Sequence, residues 1–292
     1  MPLQRCLEPY AHWLFLDPLS GDSLRIVPER GGLVSGWRCG GRELLYLDVE
    51  RFADPALSVR GGIPVLFPIC GNLPDDRLTL PQGSFQLPQH GFARDRPWQL
   101  QELAAGDGIV LVLEDSAETR AQFPFAFRLE LELRLEVSAL AIRLRLHHRS
   151  ADGAQEPSGA MPFSFGLHPY LAVVDPAAVR LEGLPERCLD HHTMTATSTA
   201  EQLARLGQGV DLLASPVGAV RLLDPLAGFA ITLETSAPWD LAVVWSDPPR
   251  PMVCLEPWTG PRGALVSGDR RLELSPGQSQ ELSCRYRVAP LA

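Results

Sequence analysis

No Cys-x-x-Cys pair occurs in this 292-residue chain, whose six cysteines stand at positions 6, 39, 70, 188, 254 and 284. The spacings of zinc ribbons and thioredoxin-like redox sites are therefore missing. There is no His-x-His, no His-Glu-x-x-His and no carboxylate-rich calcium loop, so no metal is implied. A Walker loop, a dinucleotide Gly-x-Gly-x-x-Gly leading into a helix, and a Gly-x-Ser-x-Gly elbow are absent too, which removes the common nucleotide-dependent and serine-hydrolase chemistries. Apolar runs are short. None approaches the roughly 18 residues of a transmembrane helix, and the four-residue run at 13–16 is too short for the core of a signal peptide. With no secretory or membrane signal, a reduced cytoplasm is the expected compartment.

Positive charge is also scarce. The 26 Lys and Arg face 35 Asp and Glu, leaving a net charge of −9. That balance, without a basic stripe interleaved with aromatics, argues against nucleic acid and anionic membrane as partners and for a small ligand. Apolar residues make up 45% of the chain, which excludes a disordered polymer.

What is present repeats with period two. Leu129, Leu131, Leu133, Leu135 and Val137 are apolar, and every position between them is Arg or Glu. After Ser138, Ile142, Leu144 and Leu146 continue the pattern, with Arg143, Arg145 and His147 between them. Two alternating strands joined by a short turn form a hairpin with one wet face. The segment 282–288 alternates likewise. Runs at 109–113, 241–245 and 252–255 are continuously apolar, as expected of strands buried on both faces. Only 198–206 reads as a helix, with a Ser or Thr cap. The 25 glycines and 27 prolines spread turns along the whole length. These features predict an all-β fold, a large antiparallel β-sandwich, as a single domain over 1–292.

Two runs carry the candidate chemistry: Phe163-Ser-Phe-Gly-Leu-His168-Pro-Tyr170 and Met252-Val-Cys-Leu-Glu256-Pro-Trp258. In each, an apolar stretch meets one titratable residue followed by proline, which holds the preceding backbone extended. The expectation is that His168 and Glu256 mark points where strands leave the sheet. One imidazole and one carboxylate so placed suffice for paired general acid and general base catalysis. Leu7-Glu8-Pro9-Tyr10 repeats the local pattern and serves as an internal control. Arg60 is the only charge between Asp54 and Asp75, just ahead of Gly61-Gly62-Ile63-Pro64. A polar loop, Gln89-His90-Gly-Phe-Ala-Arg94, sets an imidazole and a guanidinium four residues apart. The adjacent pairs His147-His148 and His191-His192 point to opposite faces of a strand, which makes them poor chelators and expected surface or loop residues.

Taken in order, Arg-Gly-Gly-Ile-Pro with its Phe-Pro, Gln-His-Gly-Phe-Ala-Arg with its Trp, Leu-His-x-Tyr, and Cys-x-Glu-Pro resemble the aldose 1-epimerase (mutarotase) superfamily, near its hexose-phosphate mutarotase-like branch. The matches run from Arg60 to Glu256, and flanking strands extend the likeness over nearly the whole chain. The resemblance implies the galactose mutarotase-like β-supersandwich, and a sugar or sugar phosphate as small-molecule partner. It implies His168 as general acid and Glu256 as general base, with a sugar ring held between them. It further implies that His90 orients the ring, that Arg60 and Arg94 meet a phosphate or distal hydroxyls, and that Asp211 binds substrate. Anomer exchange needs no metal or redox cofactor. The chain departs from the branch at Pro169 and at Pro257-Trp258-Thr259, which bears on substrate identity. A non-catalytic carbohydrate-binding or regulatory domain on the same fold is the rival reading.

Overall fold

The computed structural model describes residues 3–149 and 159–291. Alternation at 129–146 becomes the hairpin of Phe127–Glu136 and Ala139–His148, paired from Phe127 opposite His148 to Glu136 opposite Ala139. Leu129, Leu131, Leu133, Ile142, Leu144 and Leu146 are buried, each adding roughly 1.5–3 kcal/mol of burial. Their outward neighbours form ion pairs along the strand, such as Arg134–Glu132 and Arg128–Glu130, and across to other strands, such as Arg128–Glu114 and Arg285–Glu136, which stabilise by about 1 kcal/mol or less apiece. The alternation stops earlier than expected. Val137 is 95% exposed, because the chain turns there through Ser138 at φ 53°.

This hairpin is the middle of an antiparallel eight-stranded sheet ordered Arg180–Glu182, Val220–Asp224, Phe229–Thr235, Ser279–Pro290, Ala139–His148, Phe127–Glu136, Gly108–Glu114 and Gln99–Glu102. A second sheet of eight runs Thr195–Ser198, Arg187–Asp190, Val210–Ala214, Leu241–Ser246, Met252–Trp258, Gly166–Leu167 and Val65–Leu66, with Tyr170–Ala172 also paired to Met252–Trp258. Five strands from Leu3–Cys6 to Arg42–Glu43 form a third. One apolar cluster draws on all three sheets, and the architecture is the all-β antiparallel one expected.

Helix is sparse. The expected segment contains Thr199–Leu203, capped by the Ser198 hydroxyl accepting from the Glu201 N–H, and then a 3-10 turn at Leu206–Gln208. The three further α-helices among the described residues, Val49–Ala53, Ala117–Gln122 and Ala264–Ser267, have six residues or fewer. Such short segments carry no 3.6-residue pattern to read.

In the second sheet the faces divide the labour. Leu212, Val244, Val253 and Leu255 enter the main core. Their alternates Val243, Trp245, Cys254, Glu256 and Trp258 lie on the opposite face, and with Asp211 they floor a cleft or pack directly beneath it.

Candidate active site

Strand register explains why residues far apart in sequence meet. Tyr170 lies opposite Cys254 and Gly166 opposite Trp258, so the same unbroken count sets His168 opposite Glu256. Directly opposed residues of antiparallel strands share a face with their Cβ atoms about 5 Å apart. His168 Nδ1 lies 3.4 Å from Glu256 Oε1. Two expectations change here. Glu256 is inside the strand Met252–Trp258 rather than at its end. The proline after it is accommodated because the facing ladder lapses between Leu167 and Tyr170, and the Pro257 carbonyl accepts from the Trp239 indole N–H at 2.8 Å. At 3.4 Å, moreover, the pair leaves no room for a ring between its members.

Glu256 is 1% exposed. Its Oε2 accepts from the Trp258 indole N–H at 3.0 Å, which leaves Oε1 for His168. Trp258 is held by His90 edge-on at 5.7 Å and by the stacked His191 at 5.9 Å. His168 stacks on Tyr170, with ring centroids 4.8 Å apart, and meets Trp245 edge-on at 5.4 Å.

Burial sets the charges. Desolvation, reinforced by Asp211, raises the Glu256 carboxyl well above the usual carboxylate range, against the lowering pull of Trp258 and Arg262. Desolvation, with Arg94 and Arg60 nearby, pushes His168 down to about 3. Burial thus disfavours the charged form of each group.

Loops supply the rim. His90 sits at φ 66°, and its Nδ1 accepts from the Gly71 N–H at 3.1 Å. Burial lowers its proton affinity, with help from Arg94. A neutral imidazole accepting at Nδ1 must carry its hydrogen on Nε2, so His90 is a fixed donor. The next residue has to be glycine, since a Cβ on Gly91 (φ 70°) would stand 2.2 Å from the Phe67 carbonyl oxygen. Arg94 spends one N–H on the Gln89 carbonyl at 2.9 Å and lies 3.8 Å from Asp95. Arg60 reaches only Ser58 Oγ and the Val59 carbonyl, both at 3.4 Å, and has no ion pair among the described residues. All six residues singled out from sequence, Arg60, His90, Arg94, His168, Asp211 and Glu256, line one cleft of about 190 Å³.

Sequence reasoning missed part of this wall. His191 is buried, not at the surface, and donates from Nδ1 to Asp211 Oδ1 at 2.7 Å. Arg262 holds Asp211 Oδ2 at 2.6 Å and packs its stem on Gly71. Asp211 therefore has a protein partner on each oxygen, and those partners hold its carboxyl below the usual range despite burial. His148 is buried as well, donating to the Leu274 carbonyl at 2.8 Å away from the cleft. Arg262, in Gly260-Pro-Arg-Gly263, reads as an ordinary turn; its only signal was closeness to the Glu256 run.

A larger hollow of about 380 Å³ lies elsewhere, lined by Glu132, Arg134, Glu136, Arg143 and Arg285. It is the wet, mostly ion-paired face of the big sheet and holds no imidazole or aromatic ring. Chemistry, not volume, singles out the smaller cleft.

Comparison with known proteins bears on the family and the fold. Residues 23–287 match the family model described as Aldose 1-epimerase. An Escherichia coli (strain K12) protein that carries the provisional name glucose-6-phosphate 1-epimerase is 29% identical over 168 residues, 55% of this chain and 49% of that one. The chain thus spans about half the length of the curated relatives it matches. Among solved structures, the Slr1438 protein of Synechocystis sp. PCC 6803 superposes with a TM-score of 0.89 at 35% identity, covering 99% of this chain and 98% of that one. A galactose mutarotase related enzyme from Lactobacillus acidophilus gives 0.75 at 20% identity, over 96% and 98%, a likeness of fold.

Proposed function

Because the chain belongs to the aldose 1-epimerase family, we propose that it interconverts the α and β anomers of an aldohexose, preferring the 6-phosphate, by acid–base opening and reclosing of the ring. The observation that carries this reading is the His168–Glu256 contact of 3.4 Å on the floor of the cleft. Opening a hemiacetal takes a proton from the C1 hydroxyl and gives one to the ring oxygen. Those two oxygens are bonded to the same carbon, so a pair of side chains facing that edge can serve both. Each positioned group typically contributes about 10² to 10⁴ in rate.

One proton shared by the pair is enough. An acid on His168 and a base on Glu256 require that proton to cross to the imidazole. Trp258 and Arg262 favour the transfer, since both lower the proton affinity of the carboxyl. After rotation about C1–C2 the ring closes with the roles reversed, and the pair is restored. The Nε2–H of His90 is available to a sugar oxygen, and Trp245 offers an apolar wall.

Arg60 and Arg94 support the phosphate preference. Arg60 has no carboxylate partner among the described residues, Arg94 has only the exposed Asp95 at 3.8 Å, and guanidinium groups bind phosphate through paired charged hydrogen bonds. The test is anomer-resolved exchange NMR on glucose and glucose 6-phosphate, with Arg60→Ala and Arg94→Ala beside the wild type. The expected result is a kcat/KM ratio favouring the phosphate that falls by about tenfold or more in each variant. A ratio near one that neither change moves would leave a free-sugar enzyme. Sugar binding without exchange would favour the carbohydrate-binding domain.

A further inference from the structure

Anomer exchange makes no use of Cys254, a wholly buried thiol two positions before Glu256 on the same face of the strand. Cys254 Sγ, one Glu256 carboxylate oxygen and one His168 ring nitrogen all lie within 4.8 Å of one another. His168 Nδ1 is buried with no hydrogen-bond partner. We propose that His168, Cys254 and Glu256 form a binding site for a thiophilic divalent cation, with Zn²⁺ as the type, and that its occupancy blocks the acid–base pair.

The donor set is the first argument. One imidazole, one thiolate and one carboxylate, with a fourth position open to the cleft, match the three-ligand arrangement zinc adopts when it keeps an exchangeable site. A tetrahedral ion with bonds of about 2.0–2.3 Å holds its donors roughly 3.5 Å apart. His168 and Glu256 already meet that spacing at 3.4 Å, so closure asks mainly for a small swing of the Cys254 side chain. Behind it, Met252 Sδ lies 3.9 Å from Cys254 Sγ. A second sulfur in the wall favours soft cations over magnesium or calcium.

Charge is the second argument. Arg60 and Arg94 would repel an added cation, but this exchange adds no net charge. The ion enters with two positive charges, and two protons leave: the thiol proton and the one shared by His168 and Glu256. Metal uptake with proton release is the usual balance for cysteine-containing sites. Bound metal would hold both members of the pair as ligands, with no proton between them to move.

The test uses the whole protein and has a readout besides activity. Titration with Cd²⁺ is followed through the ultraviolet thiolate-to-cadmium charge-transfer band in the wild type and in Cys254→Ser, Cys70→Ser, Cys6→Ser and His168→Asn. A band saturating near one equivalent is expected in the wild type, Cys70→Ser and Cys6→Ser. It should vanish in Cys254→Ser and need about tenfold or more cadmium in His168→Asn. Zn²⁺ should inhibit anomer exchange in the wild type, while Cys254→Ser retains basal activity and resists inhibition. No band, or the same band and inhibition in Cys254→Ser, would overturn the site. The blocking role rests on the proposed mutarotase reaction, but the cadmium titration does not. A protein inactive on every sugar would sink the proposed reaction and leave the metal site to be decided by the band. Matching thermal unfolding of the variants excludes loss of the fold as the cause.

Discussion

At the scale of single residues, Glu256 and Glu8 make a controlled comparison. Both precede proline, but Glu256 is buried against His168 whereas Glu8 is exposed near the N-terminus. Glu256→Gln keeps shape and removes the titratable group, so anomer exchange should fall by about 10² or more with little change in sugar affinity. His168→Asn should do the same, and Glu8→Gln should leave the rate alone. Equal losses at positions 8 and 256 would refute the assignment. Trp258 supplies a finer test. Its indole N–H is the only donor to Glu256 Oε2 among the described residues, and Trp258→Phe keeps the aromatic packing but removes that bond. The carboxyl should then hold its proton more tightly, lowering kcat by roughly tenfold and moving the acid limb of its pH profile upward while KM stays close to the wild-type value. A profile that falls without shifting would mean that Trp258 only fills space.

At the scale of elements, the strand Met252–Trp258 organises the molecule's chemistry. Its neighbours meet it in a register that sets His168 beside Glu256, while the opposite face, through Val253 and Leu255, anchors it in the core. Short loops bring the remaining donors over this floor, and their approach depends on glycine where no side chain fits. Gly91→Ala would force a Cβ into the Phe67 carbonyl at a φ of 70°. We expect a loss of about 2 kcal/mol or more in stability, together with a weakened sugar interaction, since His90 is the preceding residue. Thermal unfolding and KM measured on the same variant check both parts. An unchanged melting temperature would show that the loop relaxes without cost.

For the whole molecule, the buried pair links stability to pH. His168 is held down to about 3 in the fold against an ordinary value near 6.5, so the unfolded chain binds more protons between those limits. Stability from this group is complete above pH 6.5 and is lost as pH falls towards 3. Glu256 has the opposite sign. Its folded value is raised, so its contribution is complete below the ordinary carboxylate value and is lost as pH rises through the raised one. Chemical unfolding across pH should therefore show Glu256→Gln losing less stability than the wild type on the alkaline side, and His168→Asn losing less on the acid side. Curves parallel to the wild type would place both groups in water.

Much of this was legible in the chain. Period-two alternation fixes strands, because only a pleated backbone sends successive side chains to opposite faces, and frequent turns with few helical stretches imply a sandwich. Five of the six cleft residues sit in constrained runs that mark them in sequence: Arg60 alone among apolar residues, His90 and Arg94 around Gly-Phe, His168 and Glu256 before proline; Asp211 was named only through the family resemblance. Tertiary structure decided what periodicity cannot encode. Register across 88 positions, from 168 to 256, set the pair at contact distance instead of on two sides of a ring. Burial set the direction in which His168 and Glu256 are shifted, since desolvation depends on everything packed around a group and not on its neighbours in the chain. It also drew His191 and Arg262 onto Asp211 from two separate loops. Local sequence constrains backbone geometry over a few residues, whereas charge state and long-range pairing belong to the assembled fold.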